Sequence, residues 1–397
     1  MPHTPIISPR RIAMVSMHTS PLEPPGSADA GGMNIVEFHA ALALANLGYK
    51  VDLLTRRHQL DQPEIVEVAT GVRVVHLRAG PARTLPKSDI DQYIPEFSES
   101  LAELSGYDLY HSHHWMSGVA SLDLARARGV PHVTSFHSLA AYPGEGPSEG
   151  EQAETPDRLW GEARLAQESD QVIAISAAET RTVIERCGAN PHSVTIIAPG
   201  VDLDLFCPQP KTETRPYLGF AARLHPLKGV DLAITSLAQI DPEIRPRLLI
   251  GGADSMDVAG YADHLKDLVQ TLGLTEDVSF IGPQSRAELA RLFSRAALVL
   301  VPSYSETFGL VALEAAACGT PVVASAAGGL MEAVVHGETG QLMDSRQPED
   351  WARAMTMLLK NPEKLARMGT VARVHARRFT WDLMARRISD VYESLLA

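Results

Sequence analysis

The chain alternates short apolar runs with longer amphipathic segments in two successive series, separated by the polar, proline-rich stretch CPQPKTETRP at 207–216. Each series carries the pattern of βαβ units, in which strands covered on both faces read as continuous apolar runs and helices cross between them. The expected strands of the first series are 12–17, 51–55, 72–77, 109–112, 132–136, 171–175 and 194–197. Those of the second are 217–221, 247–250, 278–281, 298–301 and 321–324. Residues 34–47 predict a helix, with Ile35, Phe38, Leu42 and Ala45 at helical spacing and Gly48 ending it. A second amphipathic helix is expected over 379–396. At 397 residues the chain exceeds what one core usually organises. The expectation is two parallel-sheet α/β domains of Rossmann type, dividing near residue 207.

Charge and composition narrow the partners. With 35 basic against 48 acidic residues the formal charge is -13, which repels nucleic acid and anionic lipid at long range. No stretch approaches a membrane span, and the apolar run after the polar residues 1–10 is too short for a signal sequence. Cys187, Cys207 and Cys318 lack CxxC spacing, so neither a disulfide framework nor structural zinc is expected. A cytoplasmic location follows as the expectation, with no cofactor.

The segment SETFGLVALEAAACGTP, 305–321, follows an apolar strand and reads as a helix over 309–318 closed by Gly319. The amides of Phe308, Gly309 and Leu310 then form a helix amino terminus beyond a strand's carboxyl end, a place where phosphate binds. Glu314 falls inside that apolar helix, so its carboxylate needs donors around it. Ribose hydroxyls would supply them, and a core arginine is the alternative. Glu306 lies roughly 12 Å away along the helix axis and either faces another part of the same ligand or caps the helix. Arg223 and Lys228, in GFAARLHPLKG, stand past the first strand of the second series. They can balance the charge of a departing diphosphate, or be solvated loop charges.

In the first series, HTSPLEPPGSADAGGMN at 18–34 is a long loop leading into a helix that Asn34 is placed to cap. Gly31 and Gly32 allow close backbone approach to a ligand or simply a flexible connection. Asp202 and Asp204 show Asp-x-Asp spacing and His111, His113 and His114 cluster, yet neither set completes a familiar metal site. No metal is expected. His137, after another strand, is a candidate for the reacting centre.

The Glu306 to Glu314 spacing, with FGL between, resembles the signature of the retaining GT-B glycosyltransferases of family four. That resemblance implies two facing Rossmann-like domains, residues 1–206 with a crossover helix at 380–397, and residues 207–379. It implies that Glu314 holds a ribose, Glu306 faces the donor sugar, and Arg223 and Lys228 grip the diphosphate. Phe308, Gly309, Leu310, Gly31 and Gly32 would complete the donor site, with His137 near the donor sugar. RIAMVSMHTSPLEPPGSADAGGMN, HSHHWMSG, FHSLA and RLHPLKG are similar to the branch that moves N-acetylglucosamine from UDP to 1D-myo-inositol 3-phosphate in mycothiol biosynthesis. By that likeness His18, Asp29 and Asn34 touch the acceptor, while Lys87, Arg158 and Ser138 hold its phosphate with His114. His114 stands where that branch has tyrosine, which leaves open a secondary-metabolite transferase with another sugar and acceptor. A nucleotide-sugar epimerase of the same fold is a further alternative. The expected partners are thus a nucleotide-sugar and a small phosphorylated acceptor, with a homodimer left open.

Overall fold

The computed structural model describes residues 9–23, 31–140, 155–210, 215–254, 258 and 260–397. The first sheet contains β1 (Arg11–Ser16), β2 (Lys50–Arg56), β3 (Ile65–Ala69), β4 (Val72–Leu77), β5 (Leu109–His113), β6 (His132–Ser135), β7 (Gln171–Ala174) and β8 (Val194–Ile196). Their spatial order is β3-β4-β2-β1-β5-β6-β7-β8. Every pairing is parallel except β3 with β4. The connecting helices are α1 (Gly32–Asn46), α2 (Ile94–Ala102), α3 (Trp115–Arg128), α4 (Pro156–Glu168) and α5 (Ala177–Glu185). Apolar cores line both faces of this sheet, which is why its central strands are continuous apolar runs.

The second sheet contains β9 (Tyr217–Ala221), β10 (Arg247–Gly251), β11 (Val278–Gly282), β12 (Leu298–Val301), β13 (Val322–Ser325) and β14 (Gly340–Met343), all parallel, in the order β11-β10-β9-β12-β13-β14. Its helices are α6 (Val230–Ala238), α7 (Tyr261–Thr271), α8 (Arg286–Arg295), α9 (Leu310–Ala317), α10 (Leu330–Ala333), α11 (Pro348–Leu359) and α12 (Pro362–Ala376). The edge strands β3 and β14 were not among the expected strands. β3 is half exposed along its length and carries Glu67 at its centre, so it shows no apolar run.

The last helix, α13 (Trp381–Leu396), crosses back onto the first sheet. Thr380 caps it, its hydroxyl oxygen accepting from Leu383 N–H at 3.1 Å. Met384, Ala385, Ile388 and Tyr392 are buried in one core with Ile12, Met14 and Leu53. Burying a large apolar side chain contributes about 1.5–3 kcal/mol relative to exposure. Tyr392 also bonds His111 Nδ1 at 2.6 Å. The two chain segments that pass between the sheets lie side by side, Val201 N–H donating to Phe379 O at 3.1 Å.

α1 differs from its sequence pattern. Asn34, Val36, Glu37, Ala40, Ala41, Ala43 and Leu44 are its buried positions, whereas Ile35, Phe38, Leu42 and Ala45 are only partly covered. The helix packs against both the sheet and α13, and His39 stacks on Trp381 with centroids 4.8 Å apart, so two faces are covered rather than one stripe. Asn34 does not cap it. Gly31 holds the capping position and Asn34 sits three residues in, its carbonyl accepting from Gly31 N–H at 3.1 Å.

Candidate active site

In an open parallel sheet, ligands bind beyond the carboxyl ends of strands where the strand order reverses. The first sheet reverses between β1 and β5, and the second between β9 and β12. The residues just past β1 and β5 include His18 and His114; those past β9 and β12 include Arg223, Lys228, Ser303 and Glu306. All of them line one cleft between the sheets, with about 1760 Å³ of space including its open mouth.

On the second-sheet side, Lys228 ends a single helical turn after β9 and its Nζ lies 2.6 Å from Glu306 Oε1. Ser303 Oγ donates to the same oxygen at 3.0 Å. Glu306 therefore does not cap α9. Gly309 holds that position with φ 101°, and a Cβ there would lie 2.5 Å from Leu330 Cδ2. The left-handed conformation favours glycine there. Glu314, only 3% exposed, pairs with Arg286 at the start of α8. Burial pushes its carboxyl above the ordinary range while Arg286 acts in the opposite direction. Arg286 is thus the partner of Glu314, and both residues line the cleft. Arg286 lies over the Phe206 ring at 4.6 Å.

The amino ends of α1 and α9 meet across the cleft, where a Cβ on Gly32 would lie 3.2 Å from Leu310 Cδ1. Two helix amino termini with their unpaired amides thereby converge on one region, a field that favours an anion. Two hydrogen bonds tie the halves together nearby. Thr307 Oγ1 donates to His137 O at 2.8 Å, and Ala177 N–H at the head of α5 donates to Glu332 Oε1 at 2.6 Å.

On the first-sheet side, the rings of His18 and His114 lie 4.2 Å apart. His114 is 1% exposed, and both its nitrogens and His18 Nδ1 are buried without a hydrogen-bond partner among the described residues. Burial, and then the charge of Lys87, push both imidazoles well below their ordinary value, so they stand neutral. Lys87, Asn34, Ser138 and His137 complete this wall. Asn34 has its amide hydrogens engaged, with Thr19 Oγ1 at 2.8 Å and Ser20 O at 2.7 Å, so it also holds the loop that carries His18. Arg158 is not on the cleft wall. It is buried behind Ser138, donating to Ser138 Oγ at 3.2 Å and to Glu162 Oε1 at 2.8 Å. Asp29 lies outside the described residues.

His137 has a left-handed backbone, φ 60°, and burial pushes its imidazole down to about 4. Glu179, itself pushed up to about 7 by burial, accepts from Ile175 N–H at 2.6 Å and faces the His137 backbone N–H. Asp202 caps a turn, accepting from Asp204 N–H at 3.0 Å and Leu205 N–H at 2.9 Å. The three histidines of HSHH take different partners: His111 bonds Tyr392 and Ser135, His113 bonds His137, and His114 turns to His18. Among the described residues no group of three or more His, Cys, Asp or Glu is arranged to hold a metal ion, and no helix is long and apolar enough to cross a membrane.

Sequence reasoning missed Arg286, Ser303 and Thr307. The usable signal was position, since Arg286 follows β11 and the other two follow β12, at the carboxyl edge of the second sheet.

Residues 31–200 match the family described as Glycosyl transferase 4-like domain, and residues 204–375 match Glycosyl transferases group 1. The chain is 39% identical to a D-inositol 3-phosphate glycosyltransferase of Thermobispora bispora, over 97% of this chain and 95% of the relative. A protein of the same name from Rhodococcus erythropolis is 39% identical over 98% and 92%. Among solved structures, sucrose-phosphate synthase from Thermosynechococcus elongatus superposes with a TM-score of 0.89 at 31% identity, covering 97% of this chain and 99% of that one. HepE of Anabaena, solved with UDP and glucose, shares the fold with a TM-score of 0.76 at 22% identity, covering 97% and 99%.

Proposed function

The chain belongs to the GT-B glycosyltransferases of the group 1, GT4-like family, and from that premise we propose that it moves a sugar from a nucleotide donor to a small phosphorylated polyol with retention of anomeric configuration. The observation that carries this reading is the opposition of two different walls across one cleft. One wall has Arg223, Lys228 and the amino end of α9; the other has Lys87, Ser138, His18 and His114.

The donor diphosphate lies against Arg223, Lys228 and the amides of Phe308, Gly309 and Leu310, with Gly31 and Gly32 opposite. Glu314 and Glu306 take the ribose and the sugar. The Lys228 to Glu306 ion pair supports this reading, since a lysine head already held in the cleft needs little reorganisation as leaving-group charge develops. The acceptor hydroxyl attacks the anomeric carbon on the face from which the diphosphate departs. The bond to the diphosphate oxygen breaks, and that oxygen takes the hydroxyl proton. No protein nucleophile enters, and His137 lines the reacting centre.

Relatives above 30% identity bear names that include phosphate, among them D-inositol 3-phosphate glycosyltransferases and a sucrose-phosphate synthase. Lys87, with Ser138 held by Arg158, supports a phosphorylated acceptor here. UDP-N-acetylglucosamine and 1D-myo-inositol 3-phosphate are the donor and acceptor of choice, in a cytoplasmic reaction.

Product formation by mass spectrometry with NMR of the anomeric configuration tests the proposal. Lys228→Ala should lower turnover about 10²–10³-fold, the usual cost of removing one transition-state donor. Full activity in that variant, or an inverted product, would overturn it.

A further inference from the structure

Two hydrogen bonds from the second-sheet half reach the surroundings of His137, and substrate binding alone does not explain them. His137 follows β6 with a left-handed backbone, φ 60°, a conformation that a residue other than glycine keeps only where its surroundings impose it. Its ring Nε2 lies 2.7 Å from His113 Nδ1, but that contact acts through two rotatable side-chain torsions and leaves the peptide free to turn. The peptide itself is held from the other half. Thr307 Oγ1 donates to His137 O at 2.8 Å, across 170 positions of sequence. On its N–H side His137 faces the Glu179 carboxyl. Glu179 stands in the first turn of α5, its N–H bonded to the Ser176 hydroxyl at 3.0 Å and its carboxyl accepting from Ile175 N–H at 2.6 Å. The head of that helix is gripped in turn by the second half, Ala177 N–H donating to Glu332 Oε1 at 2.6 Å.

Thr307 and Glu332 belong to one unit. Gly329 N–H donates to Glu306 O at 2.9 Å, and Glu332 N–H donates to Gly329 O at 2.9 Å. A Cβ on Gly328 would lie 2.1 Å from Glu306 O, and one on Gly329 would lie 2.3 Å from Thr307 O, so the two backbones are in direct contact. Thr307 also stands between Glu306 and Phe308, in the loop that forms the donor wall. Its branched β-carbon restricts χ1 and keeps the hydroxyl aimed. Valine would fill the same space, so shape alone does not call for that hydroxyl. The loop that faces the donor therefore reaches His137 by two routes, directly to its carbonyl and, through Glu332 and the head of α5, to its N–H side.

We propose that Thr307 and Glu332 are positioning residues through which the second-sheet half holds the left-handed peptide of His137, so that His137 takes its working conformation only while the two halves are in contact. The kinetic consequence rests on the placement of His137 at the reacting centre under the proposed function; the conformational assignment does not.

The experiment uses the full chain. Crystal structures should show His137 at positive φ in the unsubstituted protein and at negative φ in Thr307→Val. Thr307→Val should also lower kcat about tenfold, since small misplacements of reacting groups cost up to about 10²-fold, while the donor KM stays within about twofold. Thr307→Ser, which keeps the hydroxyl, should keep the left-handed peptide and most of kcat. Glu332→Ala acts on the same peptide through α5, so the loss in the double variant should fall short of the product of the two single losses. A negative φ at His137 in the unsubstituted protein overturns the inference even if Thr307→Val does not fold. So does a Glu332→Ala protein with φ and kcat both unchanged, a folded Thr307→Val protein with φ unchanged, a Thr307→Ser enzyme as slow as Thr307→Val, or two losses that multiply. A Thr307→Val protein in which φ changes while kcat does not refutes the role of His137 at the reacting centre and leaves the conformational assignment standing.

Discussion

Replacing Arg286 by methionine isolates the role of the one cation paired with Glu314 among the described residues. Methionine keeps an unbranched stem over the Phe206 ring, which the guanidinium now covers at 4.6 Å, and removes only the charge. Glu314, 3% exposed, then has to stay ionised without a partner or take up a proton. Protonation is the cheaper course, costing about 1.4 kcal/mol for each pH unit above the ordinary glutamate value near 4.3. At pH 7 that amounts to about 4 kcal/mol, within the range of roughly 3–5 kcal/mol found when one partner of a buried pair is removed. At pH 5 it is about 1 kcal/mol. The sign follows from the direction of the shift. A carboxyl whose folded pKa is raised above its unfolded value contributes fully below the unfolded value, and that contribution is lost as the pH climbs toward the folded one. Loss of Arg286 removes the one influence acting against burial, so Arg286→Met should be nearly as stable as the unsubstituted chain at pH 5. By pH 7 its melting temperature should be lower by about 10 °C, at 2–4 °C per kcal/mol for a domain of this size. Arg286→Met combined with Glu314→Gln has nothing left to titrate and should recover most of that stability at every pH. A loss of equal size at pH 5 and pH 7 would refute the reasoning, because it would locate the cost in packing rather than in the buried charge.

Gly309→Ala should lower stability by about 1–3 kcal/mol, the cost of holding a non-glycine residue at a left-handed position, and raise the donor KM as the head of α9 shifts; an unchanged melting temperature and KM would remove the case for a glycine-dependent phosphate site. The protein should also be acid-labile. His18, His111, His113, His114, His132 and His137 are all pushed below their ordinary value by burial, so their stabilising contribution is complete above about 6.5 and is lost as the pH falls toward their folded values. Glu37 and Glu179, pushed upward, act in the opposite direction but are fewer, so stability should fall from pH 6 to pH 5. Urea unfolding at those two pH values checks this, and coincident midpoints would contradict it.

The central strands were legible because they are covered on both faces and therefore read as unbroken apolar runs. β3 and β14 were not, for a physical reason: an edge strand is only half buried, and Glu67 or Gln341 fits it without cost. The helix face of α1 was misjudged because periodicity reports one covered stripe, whereas α13 supplies a second cover from the far end of the chain. Glu306, Lys228 and Glu314 could be singled out from local motifs, each standing beside a strand end or inside an apolar helix. Their resting partners were harder to see. Arg286 lies 28 residues from Glu314 inside a Ser285 to Glu288 capping box, where an arginine reads as solvated. The bonded pair of His113 and His137 joins residues 24 apart on two strand ends, which no local motif links.

The return of α13 has a bearing on how the chain is made. The core that holds Met384, Ile388 and Tyr392 also holds Ile12, Met14 and Leu53, so the first sheet has all its strands long before it has its last covering helix. During synthesis the whole second sheet must emerge while that apolar face, and the His111 ring that will meet Tyr392, wait uncovered. The half of the molecule made first is therefore the half completed last. A nascent chain paused anywhere between β8 and α13 presents a sticky surface of the kind that chaperones recognise and that favours aggregation.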